Sequence, residues 1–271
     1  MAIFFDTHAH LDYPDYAPDL AEVVARTRAA GIKKIISIGT NLASSTRAIA
    51  LAERFPEVYA AVGWHPTEAM TAPENLRPAL AELARHDKVV AVGETGLDYH
   101  HLPSGKEGFT AADDARYKQK QAEIFRQQME VAVELGLNCI IHQRTAWDDT
   151  INQMRPFIGK TRGVFHCFGE TVKRMEEVFS IGSLVSFTGI VTFKNAQNVR
   201  DAVAAAPPGR FMLETDCPYL APVPYRGKRC EPAYVKEIAE AVASIKRLSP
   251  EELSAATCRT AHEFFTKLAR T

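Results

Sequence analysis

A chain of 271 residues with 46% hydrophobic and 24% charged residues carries enough apolar material for a sizeable core, which argues against a disordered or fibrous protein. Its formal net charge of −1 argues against a broad basic face that clasps nucleic acid, so an anionic substrate must be held by local positive charge or by metal. The cysteines (Cys139, Cys167, Cys217, Cys230 and Cys258) are odd in number and lack CxxC spacing, which argues against a disulfide framework and a zinc ribbon.

The chain opens without a basic region leading into an apolar leader, and no run approaches the length of a membrane span, so a reducing cytoplasm is the expected compartment. The apolar run at 2–6 reads as a first strand. A helix is expected over 17–31, with Leu20, Val23, Val24 and Thr27 on one face and Gly31 as its stop. Strand 33–38, helix 44–55, strand 58–63, helix 73–86 and strand 88–93 continue the alternation. A polar stretch at 99–116 breaks the rhythm, and loops of that length are usually functional. The helix expected at 117–136 places Phe125, Met129 and Val133 on a stripe, and strands at 138–142, 163–167, 183–187 and 210–215 bring the strand total to eight.

Near-continuous apolar strands that alternate with helices predict a parallel sheet covered on both faces. Eight such units in this length match a (β/α)8 TIM barrel, an α/β fold, expected here as a single domain over 1–271. A doubly wound open sheet would use the same local pattern.

The polar residues at strand ends carry the chemistry. Residues i and i+2 of a strand point to one face, so His8 and His10 project side by side, with Asp6 below them. Strand 3 ends at His65, strand 4 at Glu94, strand 5 at His142, strand 6 at His166 and strand 8 at Glu214 and Asp216. On a barrel these ends converge at one mouth. Imidazoles suit zinc, manganese, iron or nickel, and Glu94, the one carboxylate read at a mid-barrel strand end, has two oxygens with which to bridge two cations. Two divalent metal ions about 3.5–4 Å apart activate water and neutralise phosphoryl charge. His86, His100, His101 and His262 lie away from strand ends and are read as locally satisfied. Arg144, two residues after His142, is a phosphate candidate, as are Arg226, Lys228 and Arg229 in the loop after the last strand. Cys167 and Cys217 should turn away from the mouth and pack. The aromatic residues fall mostly at core spacing and give no separate sign of base stacking.

These residues bring a family into view. "DTHAHLD", "GWHP", "GETGLDY", "IIHQR", "GVFHCF", "SFTGIVTFKNA", "LETDCPYLAPVPYRGKRCEP" and the helix carrying "QKQAEIFRQQ" together closely resemble the TatD family of metal-dependent hydrolases, within the amidohydrolase-like barrels. The resemblance covers nearly the full length. It implies a metal-dependent deoxyribonuclease, a 3′→5′ exonuclease that acts on the ends of single-stranded DNA. It also implies that His8, His10, Glu94 and Asp216 bind one metal, and that Glu94 bridges to a second held by His142 and His166. Asp216 would then orient and deprotonate the attacking water, and His65 would lie near the scissile phosphate; Arg144 and Arg229 remain the substrate contacts read from the residues themselves. Hydrolysis of another ester or amide at the same site is the alternative, or a metal-binding protein whose catalysis is vestigial. The chain departs from the family where Cys230 and Thr260 stand in place of asparagine, and in the length of the 99–116 stretch, expected to form a lid or rim. No membrane partner is expected, and a monomer is compatible with the sequence.

Overall fold

The computed structural model describes residues 2–268. Eight strands, β1 (Phe4–Ala9), β2 (Ile32–Ile38), β3 (Val58–Val62), β4 (Val89–Asp98), β5 (Asn138–Arg144), β6 (Gly163–Phe165), β7 (Leu184–Phe187) and β8 (Phe211–Leu213), pair in parallel in chain order. The order never reverses, which removes the doubly wound alternative. β1 and the chain just after β8 meet through a parallel bridge between Ala9 and Cys217, through His10 N–H donating to the Cys217 carbonyl (2.9 Å) and through Asp216 N–H donating to the His8 carbonyl (2.9 Å). The barrel is nearly closed by this seam.

The helices α1 (Leu20–Ala29), α2 (Leu42–Arg54), α3 (Arg77–Ala84), α4 (Ala111–Leu135), α5 (Trp147–Met154), α6 (Val172–Ser180), α7 (Gln197–Ala205) and α8 (Val235–Lys246) alternate with the strands, and α9 (Pro250–Phe264) follows them. Strand side chains divide between two apolar compartments. Ile36 and Ile38 of β2 and Ile140 of β5 belong to the barrel interior, while Ile35, Cys139 and Ile141 belong to the layer between sheet and helices. Both faces of each strand are therefore covered, which is why the strands lack a polar face. A fully buried isoleucine in either layer contributes about 2 kcal/mol.

The start of α9 is fixed by Pro250 at its first turn and a reciprocal cap between Ser249 and Glu252. Its far end sends Phe264 into the inner compartment, where Phe265 and Leu268 join it. Asn138 Nδ2 donates to the Phe264 carbonyl (2.6 Å), and Ser254 Oγ donates to the Ile3 carbonyl. Both partners lie where strands begin, so α9 plugs the end of the barrel opposite the strand C-termini.

Several boundaries differ from the sequence reading. β1 extends to Ala9, so His8 is inside the strand rather than beyond it. β6 stops at Phe165, short of the expected 167. The helix expected to begin at 117 begins at Ala111, where Thr110 and Asp113 cap it reciprocally, so the polar connection is shorter than 99–116. Phe125 and Met129 of α4 are buried, whereas Val133 is only half-buried. Among the described residues no helix is long and apolar enough to cross a membrane.

Candidate metal centre

β4 does not end at Glu94. It continues to Asp98, pairing Gly96 with His142 and Asp98 with Arg144. A Cβ at Gly96, which holds φ +141°, would lie 2.0 Å from the His142 carbonyl oxygen. Only glycine lets β4 run this close to β5, and this closeness sets Glu94 beside His142.

His8 Nε2 and His10 Nε2 lie 3.3 Å apart, as expected for neighbours on one face of β1. Glu94 Oε2 is 3.5 Å from His8 Nε2 and 3.7 Å from His10 Nε2, and Asp216 Oδ1 is 3.6 and 3.4 Å from the same two atoms. The other Glu94 oxygen, Oε1, meets a second group: His166 Nε2 at 2.7 Å, His142 Nδ1 at 2.8 Å and His65 Nε2 at 3.4 Å. His142 Nδ1 is also 3.3 Å from His166 Nε2 and 3.2 Å from His65 Nε2. Two donor sets thus share one carboxylate, one oxygen each.

Metal–nitrogen bonds of about 2.1 Å place neighbouring ligand atoms roughly 3.0–3.5 Å apart, close to the spacings seen here. The ring orientations fit as well. Asp98 Oδ2 faces His142 Nε2 at 3.1 Å, which leaves the Nδ1 lone pair of that ring pointing inward. Glu214 Oε1, which accepts from Cys167 N–H at 2.6 Å, lies 3.7 Å from His166 Nδ1 and leaves Nε2 of that ring facing Glu94. Converging a cluster of buried nitrogen and oxygen lone pairs is costly, and a divalent cation removes that cost. The residues therefore fit metal.

His8, His10 and Glu94 are almost fully buried, and burial opposes charge on every group in the cluster. For Glu94 that penalty is outweighed by His166, His65 and His142, which hold the carboxyl well below its usual range. For Asp216, hydrogen bonding from His10 and the charges of His8 and His166 likewise overcome burial. Burial pushes His8 and His65 down, toward the neutral ring. It is overcome at His10, chiefly by Asp216, at His142 by Asp98 and Glu94, and at His166 by Glu94 and Glu214, so these three are pushed up.

His65 was expected to face substrate, and its Nε2 reaches the donor cluster itself. Its Nδ1 accepts from Thr67 N–H (3.2 Å), capping the short 3-10 turn at Pro66–Thr71, which places the ring proton of the neutral form on Nε2. Arg144 lies on the wall of a cavity of about 890 Å3 that also includes His142, His166, Asp216 and Tyr219. Its guanidinium has no partner among the described residues.

Arg229 is placed differently from the sequence expectation. Its guanidinium donates to Asp19 (2.7 and 2.8 Å), Glu231 (3.0 Å) and the Asp15 carbonyl (2.6 Å), and none of this reaches the cavity lining. Arg26 completes the clamp through Glu231 and Asp19. Arg226 stacks on Phe193 at 3.7 Å, and neither it nor Lys228 lines the cavity. Asp6 is likewise a brace: it accepts from Thr215 N–H (2.9 Å) and Oγ1 (2.6 Å) and so ties β1 to the chain after β8. Cys167 does not turn away, because with β6 ended at Phe165 it takes φ +49° and lines the cavity. Cys217 and Cys230 are buried packing residues, and Thr260 donates to its helix carbonyl at Ala256 (2.8 Å), so neither departure from the family pattern touches the donors.

Two supports escaped the sequence reading. Asp98 is a second carboxylate near the end of β4, and the "GETGLDY" stretch contained it. Gln121 and Gln128 of "QKQAEIFRQQ" are backbone clamps. Gln128 accepts from Trp64 N–H (2.7 Å) and donates to the Trp64 carbonyl (2.9 Å), directly before His65. Gln121 does the same at Asp98, at 2.9 Å in both directions.

A family model described as "TatD related DNase" matches residues 5–266. The uncharacterized metal-dependent hydrolase YabD of Bacillus subtilis is 39% identical over 264 residues, covering 97% of this chain and 99% of its own. The 3′-5′ ssDNA/RNA exonuclease TatD of Klebsiella pneumoniae is 32% identical over 259 residues, covering 93% and 94%. The crystal structure of YjjV, a TatD homolog from Escherichia coli, superposes with a TM-score of 0.86 at 27% identity, covering 97% of this chain and 98% of that one.

Proposed function

Because the chain belongs to the family of TatD-related DNases and is a metal-dependent hydrolase, we propose that it removes nucleotides from the 3′ end of single-stranded DNA by hydrolysing phosphodiester bonds. The observation that carries this reading is the sharing of Glu94 between two donor sets, three of whose members (His142, His166 and Asp216) line the cavity. The Klebsiella relative, named as a 3′-5′ exonuclease, supports the choice of bond and of end.

His8, His10, Asp216 and Glu94 would hold one divalent ion, and Glu94, His142 and His166 would hold the second. Bound there, the pair would activate water and neutralise the charge that develops on the phosphoryl oxygens. Asp216, whose side chain keeps 16% of its surface exposed, orients the attacking water and accepts its proton. The neutral His65 ring, whose Nε2 lies at the edge of the donor cluster 3.4 Å from Glu94 Oε1, would offer its N–H to a phosphoryl oxygen held by the ions. Arg144 offers an unpaired guanidinium to a neighbouring phosphate, which it can bind through two hydrogen bonds. Arg229 has no such role, since its hydrogen-bonding capacity is committed to Asp15, Asp19 and Glu231.

The test is nucleotide release from 3′-labelled and 5′-labelled single-stranded DNA with magnesium, manganese, zinc or EDTA, beside Glu94→Ala. Metal-dependent release from the 3′ end that disappears in the variant supports the reading. No release from a protein that still binds metal overturns it and redirects the search to other esters and amides.

A further inference from the structure

Large apolar side chains left in water are unevenly distributed over this molecule. Met70, Phe109, Ile158, Tyr219 and Val223 are the strongly exposed ones among the described residues. Met70 follows β3, Phe109 follows β4, and Tyr219 and Val223 follow β8, so four of the five rise from the face that carries the donors. Ile158, between α5 and β6, is the exception. Contiguous or clustered apolar exposure on one functional face marks a contact surface.

Tyr219 is distinguished within this set because it also lines the cavity. It is 55% exposed, yet its base is fixed, since Tyr219 N–H donates to the Asp216 carbonyl at 3.1 Å. Its ring meets Tyr13 edge to face, with centroids 6.3 Å apart and planes at 79°. Tyr13 in turn stacks on His10 at 4.7 Å and 24°. An aromatic series therefore runs from a donor histidine to the surface, ending in a ring anchored three residues from Asp216. A branched aliphatic side chain would serve as well for a generic apolar rim. A flat ring, held from behind and open to the cavity, fits a flat partner. Arg144 on the same cavity wall supplies a free cation for an accompanying phosphate.

We infer that Tyr219 is the stacking platform for the nucleobase next to the scissile phosphodiester, and so a determinant of preference for single-stranded nucleic acid. The inference rests on the nucleolytic reading above. A base reaches such a ring only when it is unpaired and splayed from its neighbours, which a duplex end resists.

The experiment compares kcat/KM, with saturating manganese, for an oligodeoxynucleotide whose 3′-terminal nucleotide is intact and for one ending in an abasic tetrahydrofuran residue. Wild type, Tyr219→Phe and Tyr219→Ala are measured side by side, with thermal melting and bound-metal content confirming that each variant folds and loads. Wild type is expected to prefer the intact terminus by about tenfold, the scale of one base–aromatic stack. Tyr219→Phe keeps that preference, and Tyr219→Ala brings the ratio toward one, mainly through KM. A wild-type preference that survives in Tyr219→Ala, or no preference in wild type, overturns the platform while leaving the nuclease intact. No release from either substrate by wild type removes the nucleolytic reading, and the platform with it.

Discussion

Asp98 Oδ2 lies 3.1 Å from His142 Nε2, across the ring from the Nδ1 that meets Glu94 at 2.8 Å. The carboxylate fixes which nitrogen of His142 carries the proton and which faces the donor cluster. Asp98 is itself secured, because Oδ1 accepts from the backbone N–H groups of His100 (2.9 Å) and His101 (3.3 Å), and Gln121 clamps its peptide. Asp98→Asn should weaken metal affinity by about 10–100-fold, the usual cost of losing such a partner. Calorimetric titration with manganese checks this, and wild-type affinity in the variant would mean that Asp98 does not set the ring.

Chelation should lower thermal stability. An ion that binds only the folded chain stabilises it by up to about 4 kcal/mol at a thousandfold excess over its Kd. Here it also relieves lone pairs that face one another 3.3 Å apart between His8 and His10. Melting curves with manganese and with EDTA should separate for wild type. For Glu94→Gln, which removes the negative charge shared by both donor sets, they should draw together.

Gln128→Leu should destabilise the fold by about 2–4 kcal/mol, because it strips partners from both the N–H and the carbonyl of Trp64. Urea unfolding gives the number. A loss below about 1 kcal/mol would show that the clamp is replaceable by water or by a shift of the β3 end.

The clamp around Arg229 should fail in acid. Hydrogen bonding from Arg229, opposed by a smaller burial effect and helped by Arg26, pushes the Asp19 carboxyl down to about 2. A folded-state value below the unfolded one means that the contribution is present in full above about pH 4 and is lost as the pH falls toward 2. Asp19→Asn should therefore be less stable than wild type at pH 7, and the gap should close over that acid interval. A gap that persists at pH 2 would point to packing rather than charge.

The barrel and its donors were legible from the sequence because each rests on a local signal. Apolar runs doubly buried by the barrel have no polar face to confuse the reading, and His8, His10, Glu94, His142, His166 and Asp216 each stand at or near a strand C-terminus. What escaped depends on contacts between distant positions. Arg229 resembles a phosphate ligand until its partners Asp15 and Asp19 are known, more than two hundred residues earlier in the chain. Asp98 was missed because the strand was taken to stop at 93, whereas the glycines of "GETG" let β4 continue past Glu94. The clamping glutamines look like the ordinary polar face of a helix. Cys167 reached the cavity because a left-handed backbone turn broke the alternation that would have turned it away.

The seam between β1 and the chain after β8 also has a temporal meaning. His8 and His10 precede Asp216 by more than two hundred residues, and they become neighbours only when the His8 carbonyl receives the Asp216 N–H. A ribosome-bound fragment that ends just before residue 216 holds His8, His10 and Glu94 but lacks Asp216, and cannot complete the first donor set. The donor set is therefore incomplete in any fragment that lacks Asp216, and it is assembled when the two ends of the sheet join.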